Sequence, residues 1–357
     1  MIIRSTVLLS ACASMLALIG ACAGPATEPV PTVAPGAPAP AATSPTPDAL
    51  SPYAAPSPGV AGGPLVSPDT GLGPSPLPAS ATPGTSGVPA EEKTLRLQVL
   101  LDRVHFSPGE IDGRDGENTL RALESHRRER GGGLEADTSP HLVDYTVTAQ
   151  DLAGPFTPEI PEDMMRKARL KALDYTSALE ALGERFHASP SLLRALNPQA
   201  TFTRAGERIR VPNVHTDPPG KAARVVVDGS GPWVAALDAQ GRTLAVYSAT
   251  AGSERDPLPL GDWKINGVSR LPVFNYNPDL FWNADESHAK ARIPPGPNNP
   301  VGVVWIDLSK PHYGIHGTPE PSTIGKTQSN GCIRLTNWDA DELAGMVAAG
   351  TPVLIRR

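Results

Sequence analysis

Between Pro25 and Pro89 the chain places 18 of its 41 prolines, in a stretch almost free of charged and aromatic residues. Proline locks φ and carries no backbone N–H, so a segment this dense in it cannot propagate a helix or a sheet interior. With little apolar surface to bury, the segment cannot offset its own ordering entropy. Residues 23–90 are therefore expected to be a disordered Pro/Ala/Ser-rich tether, leaving 267 residues from Glu91 onward to fold. That is ample for a core and for more than one unit, at about 100–200 residues per domain. As a flexible coil the tether spans about 45 Å, and as extended polyproline about 200 Å.

Residues 1–22 read as a signal peptide. Arg4 precedes an apolar run from Thr6 to Ala21. At about 16 residues the run is shorter than the roughly 20 a membrane-spanning helix needs, and it suits a signal-peptide core. It ends in Leu18-Ile19-Gly20-Ala21-Cys22, which resembles the lipobox of bacterial lipoproteins. The resemblance implies cleavage before Cys22, lipidation of its thiol, and a membrane-anchored protein on the periplasmic or cell-envelope face. An ordinary secretory signal is the alternative. Cys12 leaves with the signal, so Cys332 is the one free thiol of such a mature chain, either inert and buried or reactive. Three cysteines exclude a disulfide-rich scaffold. A net charge of -6 argues against a nucleic-acid partner, which calls for a basic stripe.

From Glu91 the pattern turns helical. Leu97, Leu100, Leu101 and Val104 share one face, and Asn118–Arg130 reads as a second helix with Leu120 and Leu123 apolar and Gly131–Gly133 stopping it. The string Phe106-Ser107-Pro108-Gly109-Glu110-Ile111-Asp112-Gly113 resembles the centre of the small helical peptidoglycan-binding module, over residues 91–133. A plain helical hairpin spacer is the bland alternative. Residues 141–215 read as strand, helix from Ser177 to His187, helix from Pro190, and closing strand at Gly206–Pro212. That order, with Leu196-Asn197-Pro198, resembles an α+β LysM module that lacks the usual Gly-Asp-Thr opening and carries an insertion at 152–175. His187 and His215 are expected at the surface, having no partners at metal-ligand spacing.

Residues 222–357 are β-rich. Short β-branched and aromatic runs at Arg224–Val227, Trp233–Leu237, Thr243–Tyr247, Trp263–Ile265 and Val301–Ile306 alternate with turn residues. One helix, Asp339–Ala349, is expected with Asn337 or Asp339 capping its start and Gly350 its end, before a last strand at Pro352–Ile355. The fold expected overall is multidomain: a mainly β catalytic domain, an antiparallel β-sandwich or barrel with a short helix, preceded by the helical and α+β modules.

Ile315-His316-Gly317-Thr318 is followed, sixteen residues after His316, by Cys332 within Ser329-Asn330-Gly331-Cys332-Ile333-Arg334-Leu335. A thiol attacks as its thiolate, and a neighbouring imidazole takes the proton, so the pair is a candidate nucleophile and base with the thiol pKa drawn below about 8.5. Gly331 leaves room for a substrate backbone, and the Gly331 and Cys332 amides are candidate oxyanion donors. The whole string, with Pro294–Gly302 upstream, resembles the YkuD-type L,D-transpeptidase catalytic domain over about Ala223–Arg357. That resemblance implies Cys332 as nucleophile, His316 as general base and the Gly317 carbonyl as the group that orients the imidazole. Ser329 and Asn330 would support the nucleophile turn. Arg334 would support it too, or pair with a substrate carboxylate, a structural salt bridge being the alternative. The family usually has His where Asn330 stands, and an amide does not titrate near neutral pH.

The reaction so implied is acyl transfer on peptidoglycan. Cys332 attacks the third-residue carbonyl of a tetrapeptide stem, expels D-alanine, and passes the thioester to an amine, with no metal or cofactor required. Carbapenems acylate this family's nucleophile. A hydrolase using the same site, an L,D-carboxypeptidase, is the nearest alternative, and a non-catalytic peptidoglycan-binding lipoprotein the next.

Overall fold

The computed structural model describes residues 90–282 and 284–357; the signal peptide, Cys12, Cys22 and the tether fall outside them. No helix among the described residues is long and apolar enough to cross a membrane.

Helix α1 (Ala90–Arg103) is apolar on two sides, and both are buried. Leu100 and Leu101 pack with Phe106, Ala122, Ala235 and Val246, while Leu95 and Val99 join a second cluster with Leu182, Leu193 and Ile209. The chain then forms a two-residue strand β1 (Phe106–Ser107) and helix α2 (Glu117–Arg130). Gly131 ends α2 at φ 77°, its N–H donating to the Arg127 carbonyl at 2.9 Å, a left-handed cap that suits glycine. Leu120, one of the two apolar residues read in this helix, is 53% exposed. The buried stripe runs instead through Thr119, Ala122 and His126, and Leu120 stands about 100° round the helix from it.

Strand β2 (Leu142–Thr146) is followed by α3 (Met164–Lys167), α4 (Ala178–Arg185), α5 (Pro190–Leu196) and β3 (Arg208–Pro212), which pairs antiparallel with β2. Ser177 and Ser189 cap α4 and α5, accepting from Glu180 N at 3.3 Å and Leu192 N at 3.0 Å.

The remaining strands are β4 (Arg224–Asp228), β5 (Trp233–Leu237), β6 (Thr243–Ser248), β7 (Thr250–Ala251), β8 (Gly261–Arg270), β9 (Phe274–Tyr276), β10 (Ala291–Ile293), β11 (Val304–Leu308), β12 (Gly314–His316), β13 (Ile333–Arg334) and β14 (Pro352–Arg356). Ten strands form one sheet in the order β1-β6-β5-β4-β14-β8-β11-β12-β13-β7. Only Ala249 separates β6 from β7, yet β7 stands at one end of that order and β6 next to the other, so the sheet curls round to meet itself. The expected antiparallel barrel is qualified by three parallel pairs, β1 with β6, β4 with β14 and β12 with β13. Inside lie alternate residues such as Val225, Val234, Tyr247, Ile265, Ile306 and Ile315. On the outer face, Ala235 and Val246 receive α1 and α2, so the helical hairpin covers the sheet and β1 extends its edge.

Two residues, Leu335 and Thr336, separate β13 from helix α6 (Asn337–Met346). Its cap is neither Asn337 nor Asp339, the two expected, but Thr336, whose Oγ1 accepts from Asp339 N at 3.2 Å. The helix ends at Met346, short of the expected Ala349, with Val347 as its C-cap, and Gly350 serves the following turn at φ 89°. His187, expected at the surface, stacks on Trp338 of α6 at 5.0 Å and 6° and lies 3.0 Å from the Asp102 carboxylate. Burial opposes its protonation, but Asp102 and more distant Asp339 and Glu342 hold its pKa above the ordinary value. Residues 152–175 pack on the β9–β10 hairpin, Leu173 against Tyr276 and Ile293. His288 fastens the two, with its ring nitrogens 2.9 Å from Tyr276 Oη and from Asp163 Oδ2. His215 is exposed, as expected.

Candidate active site

Strand β12 pairs antiparallel with β11 (Trp305↔His316) and parallel with β13 (Ile315↔Ile333, His316↔Arg334). Paired residues share a face of a sheet, and so do alternate residues along a strand. Ile306, Ile315 and Ile333 accordingly point into the core, each fully buried. The opposite parity carries Trp305, His316 and Arg334, and one step before Ile333 on that same face comes Cys332. Apolar alternation on one face thus fixes the polar constellation on the other. On the far side β13 pairs with β7 (Ile333↔Ala251, Arg334↔Thr250).

The nucleophile turn is clamped from behind. Ser329 Oγ donates to the Cys332 carbonyl at 2.6 Å and accepts from Gly252 N at 2.7 Å, while Ser329 N donates to Gly252 O at 3.1 Å. Gly331 sits at φ 90°, where L side chains are strained. A Cβ there would also lie 2.8 Å from Tyr313 Cε1, so the phenol lies across the turn. The half-buried Cys332 Sγ lies 3.7 Å from the His312 carbonyl.

His316 is buried, and its Nδ1 lies 2.7 Å from the Gly317 carbonyl. A carbonyl only accepts, so Nδ1 carries the proton and Nε2 presents a lone pair. The ring stacks on Trp305 at 5.5 Å, and Gly314 leaves the space for that indole, since a Cβ there would meet it at 2.6 Å. Gly317 is pinned in turn: a side chain on it would collide with Asn337 Oδ1, which accepts from Val303 N at 3.1 Å. The first residue of α6 therefore sets the carbonyl that orients the imidazole.

Electrostatics correct one expectation. Burial, with the Arg334 charge, pushes His316 down to about 4 despite its hydrogen bond to Gly317. Burial pushes the Cys332 thiol up, outweighing the Gly314 backbone contact and Arg334. Desolvation penalises either charge, so at neutral pH the pair rests as thiol and neutral imidazole, and a low-pKa thiolate is not its ground state. Arg334 is half-buried and makes no salt bridge among the described residues, although Glu320 lies within its field. The Asn330 side chain makes no hydrogen bond among the described residues.

The register sets Cys332, His316 and Arg334 on one face of neighbouring strands, with Gly317 next to His316 and with Ser329, Asn330 and Gly331 in the turn before Cys332. Sequence reasoning did not assign Tyr313, Asn337 or the stacking of Trp305 to the site. Tyr313 and Asn337 flank the two motifs, three residues before His316 and five after Cys332, and proximity in sequence was the only signal they gave.

The family model of the YkuD L,D-transpeptidase catalytic domain matches residues 222–355. The putative L,D-transpeptidase YkuD of Bacillus subtilis is 33% identical over 181 residues, covering 50% of this chain and 93% of the relative. A putative L,D-transpeptidase from the ATP synthase subunits region of Fuscovulum blasticum is 44% identical over 137 residues, covering 36% and 71%. Among solved structures, L,D-transpeptidase 3 of Mycobacterium tuberculosis with a faropenem-derived adduct aligns with TM-score 0.32 at 16% identity, covering 43% of this chain and 75% of that one.

Proposed function

The chain belongs to the YkuD family of L,D-transpeptidases, and from that premise we propose that it transfers acyl groups between peptidoglycan stems through a thioester on Cys332. The observation that carries the reading is the shared face of Cys332, His316 and Arg334, fixed by the β12–β13 register.

The first half-reaction begins from the neutral pair. As Cys332 Sγ closes on the third-residue carbonyl of a tetrapeptide stem, His316 Nε2 takes the thiol proton. The Gly317 carbonyl stabilises the resulting imidazolium through Nδ1–H, as a carboxylate does in a Ser-His-Asp triad. The Gly331 and Cys332 amides donate to the oxyanion. The C–N bond breaks, D-alanine leaves with the proton from His316, and the thioester remains. Arg334, which makes no salt bridge among the described residues, receives a carboxylate of the stem. Ser329 and Asn330 touch no reacting atom; Ser329 holds the turn through its clamp. An amine of a second stem, or of an envelope protein, then displaces the thioester.

The preceding segments serve retention. A lipid on Cys22 anchors the chain, the tether gives it reach, and residues 91–133 and 141–215 act as wall-binding modules in the manner of the families they resemble. Two measurements test the enzymatic reading. Intact mass of the purified chain with a carbapenem is expected to rise by one adduct in the wild type and in Asn330→Ala, and not in Cys332→Ser. Incubation with tetrapeptide-rich wall is expected to give cross-linked dimers. An unmodified wild type defeats the proposal, and trimmed monomers alone assign the site to hydrolysis.

A further inference from the structure

Asp256 has a buried carboxylate oxygen, Oδ2, with no hydrogen-bond partner among the described residues. A buried, unpaired carboxylate oxygen is costly, and one kept beside a reactive turn points to a donor that arrives with a ligand.

Its position follows from Gly252, which adjoins the nucleophile turn: Gly252 N donates to Ser329 Oγ at 2.7 Å and Gly252 O accepts from Ser329 N at 3.1 Å. A Cβ on Gly252 would meet Leu258 N at 2.9 Å and Asp256 O at 3.3 Å. The loop after β7 therefore packs beside the nucleophile turn. That loop is tightly made: Ser253 N donates to Asp256 O at 2.9 Å, and Asp256 N donates to Ser253 Oγ at 2.9 Å. Tyr313, whose ring lies against Gly331, feels the charges of both Cys332 and Asp256. The adjacent Arg255 does not serve as the partner, since its guanidinium lies over the Trp282 ring at 4.5 Å.

We propose that Asp256 binds the ammonium group of the acyl acceptor, a primary amine, and so selects amine over water in the second half-reaction. This rests on the thioester reading above. A carboxylate accepts several N–H donors and attracts the cation, whereas water offers it no charge. In the transfer the amine nitrogen forms the amide bond, the C–S bond breaks, and Cys332 leaves as thiolate. Of the two protons the ammonium sheds, one returns to the sulfur through His316 and the other passes to solvent. Acylation by a carbapenem opens a ring without releasing an amine, so it does not use Asp256.

The test compares wild type, Asp256→Asn and Asp256→Glu in two assays. One is carbapenem adduct formation by mass. The other is transfer from a tetrapeptide donor to a graded concentration of an amine-bearing stem peptide, with cross-linked and hydrolysed products counted by mass. Asp256→Asn is expected to form the adduct at the wild-type rate, yet to need about 10- to 100-fold more acceptor for half-maximal transfer, the scale of one charge-assisted hydrogen bond. Its hydrolysed share should rise, and Asp256→Glu should recover part of the loss. An unchanged acceptor dependence overturns the proposal. So does a loss of adduct formation in step with transfer, which would make Asp256 structural. A wild type that takes no adduct removes the thioester reading itself, a result distinct from either.

Discussion

Lowering the pH from 7 to 4.5 should cost this fold about 2.5 kcal/mol through His316 alone. The ring is 4% exposed, its Nδ1–H is committed to Gly317, and burial beside Arg334 pushes it down to about 4. An unfolded histidine titrates near about 6.5. Between those two values the unfolded chain binds a proton that the folded chain does not, so stability rises with pH there. The contribution is whole above the unfolded value and is lost as pH falls through the folded one. At pH 4.5 the unfolded ring is about 100 times more protonated than not, while the folded ring is about one-quarter protonated, which gives the figure quoted. Urea titrations of wild type and His316→Gln at both pH values isolate it by difference. Asp339 and Glu110, each pushed up to about 7 mainly by burial, act in the opposite direction but are common to both chains and cancel. Equal losses in the two chains, within about 0.5 kcal/mol, would refute the claim that His316 is held neutral by its surroundings. The same titration should set the acid limb of Cys332 acylation near pH 4.

Gly331→Ala should nearly abolish acylation by a carbapenem while costing the fold about 1–2 kcal/mol for the left-handed backbone. The new Cβ, 2.8 Å from Tyr313 Cε1, would displace the phenol or the turn, and a wild-type adduct rate would show that neither matters. Cys22→Ser should release the exported protein from the membrane fraction while it still sediments with insoluble peptidoglycan through residues 91–215. Unchanged membrane association would defeat the lipid anchor, and failure to sediment would defeat the wall-binding modules.

Strands with strong local alternation were legible in the sequence to within a residue: Arg224–Asp228, Trp233–Leu237 and Thr243–Ser248 each lie where their β-branched and aromatic runs predict. Strand β8 was not. Only Trp263–Ile265 carries a β signal, yet pairing extends through Gly267, Ser269 and Arg270 because β14 takes one half of its length and β11 the other. Leu120 and His187 show the same limit at single residues. An apolar residue was left exposed because the buried stripe of α2 ran beside it, and a polar one was half-buried because Asp102 and Trp338 came to meet it from distant segments.

The residues of the site were written in the chain, since a thiol, an imidazole and a left-handed glycine in two short motifs are properties of side-chain type and local backbone. Their charge state was not. Whether Cys332 and His316 meet as ions or as neutral groups depends on how much water the surrounding strands exclude and on where Arg334 falls, and those strands come from segments scattered over more than a hundred residues. Asp256 likewise becomes notable only once β7 lies beside β13. Alternation and φ preference act over a few residues, whereas desolvation and register are set by which strands the closing sheet brings together.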